Sequence, residues 1–324
     1  AACKQAECAR RKPAEKYTQR GGNGASNMPI VVEKLNYAYM QGSAITKAAL
    51  TDISLRIEDG EFLGLIGHTG SGKSTFVQQL NGLLQPNSGT VHVDGFDMAD
   101  KKQRMEGRKL VGMVFQYPEY QLFAETVYED VAFGIRNFLA EKDEKKVEDL
   151  VKSALEKVGL NYAEIKDKSP FALSGGQKRR VAIAGVIVVE PQVLVLDEPC
   201  AGLDPVGKKE LWELLHYLHR TTAKTIIVVS HDMNDVADQC TKAAMFSDGK
   251  IIASGTPKEL FSDRELIEKA GLDVPVTAYL KDELSPCLDD LDTDFKIADF
   301  AEKLAKKLNS KGQPKTKNKP ITGL

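Results

Sequence analysis

No stretch of this 324-residue sequence is apolar for long enough to cross a bilayer. The longest uninterrupted apolar run, residues 181–189 with one glycine inside it, falls far short of the ~20 residues a spanning helix needs. Any contact with a membrane therefore has to pass through a partner. Cysteine is also scarce: Cys3, Cys8, Cys200, Cys240 and Cys287 form neither a CxxC pair nor the framework that staples short secreted chains, so reduced cytosolic thiols are expected. His216 and His219 lack acidic or cysteine partners at metal-ligand spacing, which excludes a zinc-type site there. The single tryptophan, Trp212, lies among Leu211, Leu214 and Leu215 and reads as helix packing.

In the body of the chain positive charge is outnumbered by negative. The formal net charge is −2, yet residues 1–27 carry 6 basic against 2 acidic side chains and residues 301–324 carry 7 against 1, which leaves −12 for the middle. A face that binds nucleic acid must cluster Lys and Arg to neutralise phosphates, so the acidic centre argues against nucleic acid as a partner. Residues 1–27 have no initiator methionine and no apolar h-region, and do not read as a signal peptide. Their Arg, Lys, Gly and Asn content suggests a disordered basic leader or extension, with Met28 as the functional start.

What is present is a chain long enough to bury a full core and carry appendages, with 42% hydrophobic residues. Period-two alternation in Ser54-Leu55-Arg56-Ile57 and the strand-like pattern of residues 30–57 predict antiparallel strands. Buried apolar runs at 62–66, 111–115, 193–197 and 225–229 predict further strands, separated by helices in the alternation that builds a mainly parallel sheet. Residues 126–189 are helical by pattern: 126–138, about 143–158, and a helix launched from Ser174. The expected division is a core over 28–255 with an antiparallel β subdomain and an inserted helical subdomain at about 117–189, then an accessory region over 256–308 and a flexible basic tail over 309–324. Thr256-Pro257-Lys258-Glu259 is a capping box with proline at the first helical position, so the accessory region starts with a helix. A short apolar-spaced helix follows to about residue 308, beyond an acidic stretch over 281–299.

Gly67-His68-Thr69-Gly70-Ser71-Gly72-Lys73-Ser74 fits the GxxxxGK[ST] phosphate loop, with a strand before it and a helix after it. Its backbone N–H groups, with the helix N-terminus and Thr75 beyond, form a cradle for phosphate oxygens. Lys73 reaches the β and γ phosphates and Ser74 offers a hydroxyl to Mg²⁺. His68 contributes to the loop with no role given to its side chain. Residues 193–198 deliver two carboxylates to the C-terminal edge of the sheet, where Asp197 suits the Mg²⁺ shell and Glu198 suits the attacking water. His231, after the run 225–229, can donate to the γ-phosphate, and Gln116 can reach the metal or the water by its amide.

Leu173-Ser174-Gly175-Gly176-Gln177 is a second anion-binding turn, and one nucleotide does not need two. The economical reading gives this turn to a nucleotide held by another subunit, in a head-to-tail pair that sandwiches two ATP molecules. These five residues are also the signature of the ATP-binding cassette ATPases, and the chain resembles that family over residues 28 to about 255. The fold implied is α/β, a P-loop NTPase core. The resemblance further implies that Tyr39 stacks on adenine, with Tyr37 as an alternative, that Asp204 in Ala201-Gly202-Leu203-Asp204 belongs to the loop coupling two sites, and that Ser174, Gly175, Gly176 and Gln177 meet the ATP of the partner.

Finer features, including Phe115-Gln116-Tyr117-Pro118-Glu119-Tyr120-Gln121-Leu122-Phe123, glycine rather than arginine at Gly185, and Gly271-Leu272-Asp273-Val274-Pro275, resemble the ATPase subunits of energy-coupling factor importers. That resemblance implies ATP hydrolysis at the cytoplasmic face of the cell membrane by a pair of related ATPases. These grip a transmembrane coupling protein, which works with a small membrane subunit binding a vitamin or a transition-metal ion. Residues 256–308 would then supply a dimerisation segment. Two other readings keep the cassette fold: a nucleotide-gated clamp in DNA repair or translation, and a non-hydrolytic nucleotide-sensing scaffold. Cys200 stands where Thr or Ser is common after Asp-Glu-Pro, which leaves neutral drift or a redox-sensitive switch as its reading.

Overall fold

The computed structural model describes residues 30–40, 47–285, 291 and 293–311. The basic leader, Met28, Cys3, Cys8, Cys287 and residues 312–324 lie outside the described residues. Among the described residues ten strands are formed: β1 (Ile30–Tyr39), β2 (Lys47–Ile57), β3 (Phe62–Ile66), β4 (Ser88–Val93), β5 (Phe96–Asp97), β6 (Val111–Val114), β7 (Val193–Asp197), β8 (Thr225–Val229), β9 (Lys242–Ser247) and β10 (Lys250–Gly255). They divide into an antiparallel sheet ordered β2-β1-β4-β5 and a six-stranded sheet ordered β10-β9-β3-β8-β7-β6. In the larger sheet β3, β6, β7, β8 and β9 run parallel and β10 turns back on β9 through the hairpin at Asp248-Gly249.

The two sheets show why their sequences differ. In β2, Ile53, Leu55 and Ile57 are buried while Ser54 and Arg56 face water, as expected for a sheet covered on one side. Every residue of β3, β7 and β8 is buried, and these strands read as unbroken apolar runs because both faces of the sheet are covered.

The described residues also form twelve α-helices: α1 (Lys73–Leu80), α2 (Lys101–Leu110), α3 (Val127–Gly134), α4 (Glu144–Lys157), α5 (Tyr162–Ile165), α6 (Gly175–Ile187), α7 (Pro205–Thr221), α8 (Met233–Gln239), α9 (Pro257–Ser262), α10 (Arg264–Ala270), α11 (Val276–Leu284) and α12 (Ile297–Lys311). Trp212, Leu211, Leu214 and Leu215 are the buried face of α7. The helix expected over 126–138 ends early. Its backbone widens after Gly134 into a π-helical turn, Ile135–Leu139, where α3 lies so close to α6 that a Cβ at Gly134 would stand 3.2 Å from the Gly185 carbonyl oxygen.

Helix α2 has no counterpart in the sequence reading, and the reason is physical. It buries only Gly107, so it carries no apolar stripe, and it is set by its N-cap, Asp100 Oδ1 accepting from Lys102 N and Gln103 N. In the accessory region, the reciprocal bonds between Thr256 and Glu259 start α9, as the capping box predicts, and three further helices follow.

Candidate functional site

The carboxyl ends of the parallel strands put the chemistry in one place. The loop from β3 to α1 bends through positive φ at Gly67 (152°) and Gly72 (106°). Both positions also have no room for a side chain: a Cβ at Gly67 would lie 2.3 Å from the Phe246 carbonyl oxygen, and at Gly72 2.7 Å from that of Ala49. Gly72 is the N-cap of α1 and no side chain caps that end, so its first N–H groups are left for an anion. Buried Lys73 folds back along the loop, its Nζ donating to Gly67 O (2.7 Å), His68 O (2.9 Å) and Ser71 Oγ (3.3 Å). Burial pulls its pKa down, while Glu198 and Asp197 pull the other way. Thr69, Gly70 and Ser74 are exposed at the mouth.

Strand β7 ends on Asp197, which is buried, and burial raises its carboxyl pKa against the opposing effects of a Ser74 hydrogen bond and the Lys73 charge. The next residue, Glu198, takes the left-handed conformation at φ 47°, with its N–H bonded to Val229 O in β8 (3.0 Å). A non-glycine residue held there costs about 1–2 kcal/mol. The result of that turn is a convergence: Gln116 Nε2 donates to Glu198 Oε2 (2.9 Å), and His231 Nδ1 lies 3.6 Å from the same oxygen. Gln116 sits two residues past β6, which ends at Val114 rather than at residue 115.

Ser74 and Asp197 supply a hydroxyl and a carboxylate, and Gln116 an amide carbonyl. These are hard oxygen donors of the kind Mg²⁺ takes. Among the described residues no group of three or more His, Cys, Asp or Glu could hold a metal ion.

Tyr39, at the end of β1, is 40% exposed and hydrogen-bonds Thr75 Oγ1 through its hydroxyl (3.0 Å). It meets the ring of Tyr37 edge-on, with centroids 5.0 Å apart. Tyr37 is half-buried and packed against the core of the antiparallel sheet, so Tyr39 has the freer face.

The second glycine turn is built differently. Ser174 Oγ accepts from Gln177 N (3.3 Å) and Gln177 Oε1 accepts from Ser174 N (3.1 Å), a closed capping box at the start of α6. Ser174, Gly175 and Gly176 are exposed, and a Cβ at either glycine would meet nothing within 4 Å. Asp204 is likewise exposed, its Oδ1 accepting from Gly207 N (2.7 Å) at the start of α7.

Sequence reasoning missed Arg179. It is buried at the base of the second turn, where its guanidinium donates to Pro199 O (3.0 Å) and Ala201 O (3.1 Å) and pairs with Glu119 at 3.7 Å. It thereby ties α6 to the segments after Glu198 and after Gln116. Its only sequence signal is an Arg-Arg pair opening an otherwise apolar stretch.

A phosphate loop, a buried carboxylate and a glutamate held by Gln116 at one sheet edge define a P-loop ATPase, and the separate LSGGQ turn places it in the ATP-binding cassette class. Residues 50–201 match the family model described as ABC transporter. The energy-coupling factor transporter ATP-binding protein EcfA2 of Clostridium perfringens is 53% identical over 258 residues, covering 79% of this chain and 90% of that protein. The EcfA2 of Clostridium acetobutylicum is 50% identical over 277 residues, covering 85% of this chain and 96% of its own length. The solved structure of cbiO1 from Clostridium perfringens, part of the ABC transporter complex cbiONQ, is similar at TM-score 0.66 and 40% identity, covering 79% of this chain and 99% of that one. A dimeric post-hydrolysis structure of the ATP-binding cassette MJ0796 with ADP and Pi is similar at TM-score 0.63 and 27% identity, covering 70% and 98%. The chain belongs to the energy-coupling factor transporter ATP-binding proteins, an ATP-hydrolysing family.

Proposed function

We propose that this chain hydrolyses ATP in a head-to-tail pair with a second ATPase subunit, a paralogue or an identical chain, and that closing and reopening of the pair moves a transmembrane coupling protein. The observation that carries this reading is the second glycine turn. Gly175 and Gly176 face open space with ordinary backbone angles, so nothing within this chain requires them to lack side chains. A phosphate approaching from outside does require it, and the backbone N–H groups at the start of α6 are turned out to receive one.

In this reading Lys73, the backbone of residues 67–75 and the shelf of Tyr39 bind one ATP, and Ser174, Gly175, Gly176 and Gln177 of the neighbour complete the pocket. Glu198 accepts a proton from the attacking water, oriented by the amide of Gln116. His231 donates toward the γ-phosphate, and Asp204 lies where it can feel the neighbouring site. Ser74, Asp197 and Gln116 would hold Mg²⁺, which supplies charge neutralisation to the phosphates when bound. The γ-phosphate gains the neighbour's turn only in the closed pair, so its loss removes the differential affinity that kept the pair closed.

No helix among the described residues is long and apolar enough to cross a membrane. The named relatives are transporter subunits, and that origin supports a place at the cytoplasmic face of the membrane, held through the coupling protein and its small substrate-binding partner, over the nucleic-acid clamp. The test is cross-linking of Thr69→Cys in one subunit with Ala172→Cys, an exposed position just before the second turn, in the other, with ATP trapped by Glu198→Gln. Cross-links between polypeptides are expected. Cross-links confined to single chains would overturn the arrangement.

A further inference from the structure

The residue that follows His231 is tied to the helix that begins at Asp204. Lys208 lies one turn into α7, its N–H bonded to Asp204 O (2.9 Å), and its Nζ stands 2.6 Å from Asp232 Oδ2 and 2.8 Å from Asp235 Oδ1. The other oxygen of Asp232 accepts from Asn234 N (2.9 Å) and Asn234 Nδ2 (3.1 Å) and so caps α8, while its N–H donates to Ser230 Oγ (3.1 Å). On the far side of His231, the Ser230 N–H is fastened to Leu65 O at the end of β3 (3.1 Å).

His231 is thus held by its two neighbours and scarcely by its own ring. Its side chain is 71% exposed, and the 3.6 Å approach to Glu198 is too long for a hydrogen bond. Where the imidazole points is decided by the backbone of 230–232, and the part of that backbone not anchored in the sheet is anchored by Lys208.

The charges agree with that arrangement. Burial raises the Asp232 carboxyl, but the bond and charge of Lys208 and the bonds from Asn234 outweigh it and hold the group below its ordinary range. Burial raises Asp235 against the same lysine. Pairs of this kind add little to stability against apolar replacements of the same shape, so the more telling contribution of Lys208 is register between two segments.

We propose that Lys208 is a positioning residue that fixes His231 relative to the Ala201-Gly202-Leu203-Asp204 turn, so that movement of that turn against the neighbouring subunit is delivered to the imidazole. This rests on the reading of His231 as a donor to the γ-phosphate. The path from turn to ring is short: Asp204 O to Lys208 N, Lys208 Nζ to Asp232, and Asp232 to its neighbour.

Steady-state phosphate release by the full chain in its assembled complex tests this in two backgrounds. Lys208→Met is expected to lower kcat by about tenfold to a hundredfold, the range for a displaced reacting group, while KM for ATP moves less than about twofold. Lys208→Arg should recover most of the loss. In the His231→Ala background, Lys208→Met should lower kcat no further, because it acts through the ring already removed. Asp232→Asn, which keeps the cap acceptor and removes the charge, should repeat the pattern should Lys208→Met fold poorly. A Lys208→Met loss of equal size in both backgrounds, or an unchanged kcat, overturns the proposal and leaves the reading of His231 standing. A parent-like kcat for His231→Ala alone overturns both.

Discussion

The two glycine turns of this chain look alike as sequences and unlike as structures. The turn at residues 67–72 is pressed against its own protein: Gly67 and Gly72 adopt positive φ, their missing side chains make room for carbonyls of Phe246 and Ala49, and Lys73 is buried beneath them. The turn at residues 173–177 is anchored by buried Leu173, a capping box and Arg179 at its base, and its two glycines face open space. The first is glycine because the fold demands it. The second is glycine although the fold does not demand it, and the proposal that half of a binding site lies in a different molecule rests on that contrast.

The largest expected effect falls on the chemistry that the first turn serves. Glu198→Gln keeps the hydrogen-bonding outline next to Gln116 and His231 but removes the carboxylate proposed as the base, and should slow hydrolysis by about 10²–10⁴ while ATP affinity is retained. Single-turnover phosphate release beside equilibrium nucleotide binding checks it, and near-parent turnover in the assembled complex removes Glu198 from that role.

The glycines themselves separate the two turns in opposite directions. Gly72→Ala forces a side chain into φ 106° and to 2.7 Å from the Ala49 carbonyl oxygen, and should destabilise the fold by about 1–3 kcal/mol. Gly176→Ala meets nothing within 4 Å and lies in the first turn of α6, so chemical unfolding should show a change of no more than about 1 kcal/mol, in the stabilising direction. Its effect should appear as lost turnover in the complex, at least about tenfold, since one interaction made only in the closed state is worth that much. Equal destabilisation by the two substitutions would erase the distinction between the turns.

How much of this was legible from sequence follows the same division. Strands 62–66, 193–197 and 225–229 stood out because a strand buried on both faces is an unbroken apolar run. The placing of Gln116, Glu198 and His231 just beyond such runs was legible for that reason. Their meeting on one oxygen was not: it depends on the parallel register that sets Val114 beside Leu196 and Asp197 beside Val229, and on the left-handed turn at Glu198. Arg179 and Lys208 were illegible because each reaches across the tertiary structure to carbonyls or carboxylates far along the chain, an interaction with no local pattern. Helix α2 escaped because a helix that buries one glycine has no stripe to read.

The smallest effect expected is at Cys200, two residues past the left-handed turn at Glu198, and it tests how far that segment is closed to solvent. Burial, with the nearby Asp235 carboxylate, pushes its thiol up to about 12 against the lesser pulls of Lys208 and Arg179. Thiolate is the reactive form, so at pH 8 the reactive fraction is on the order of 10⁻⁴, roughly a thousandfold below that of an ordinary cysteine. Iodoacetamide should therefore label Cys200 on that slower scale, read by peptide mass spectrometry, with hydrolysis unchanged over the interval in which a free thiol is fully modified. A mild oxidant meets the same protonated sulfur and should fare no better. Fast labelling with parallel loss of turnover would show that the segment between Glu198 and Asp204 opens to solvent, and would favour the redox-switch reading of Cys200 over neutral drift.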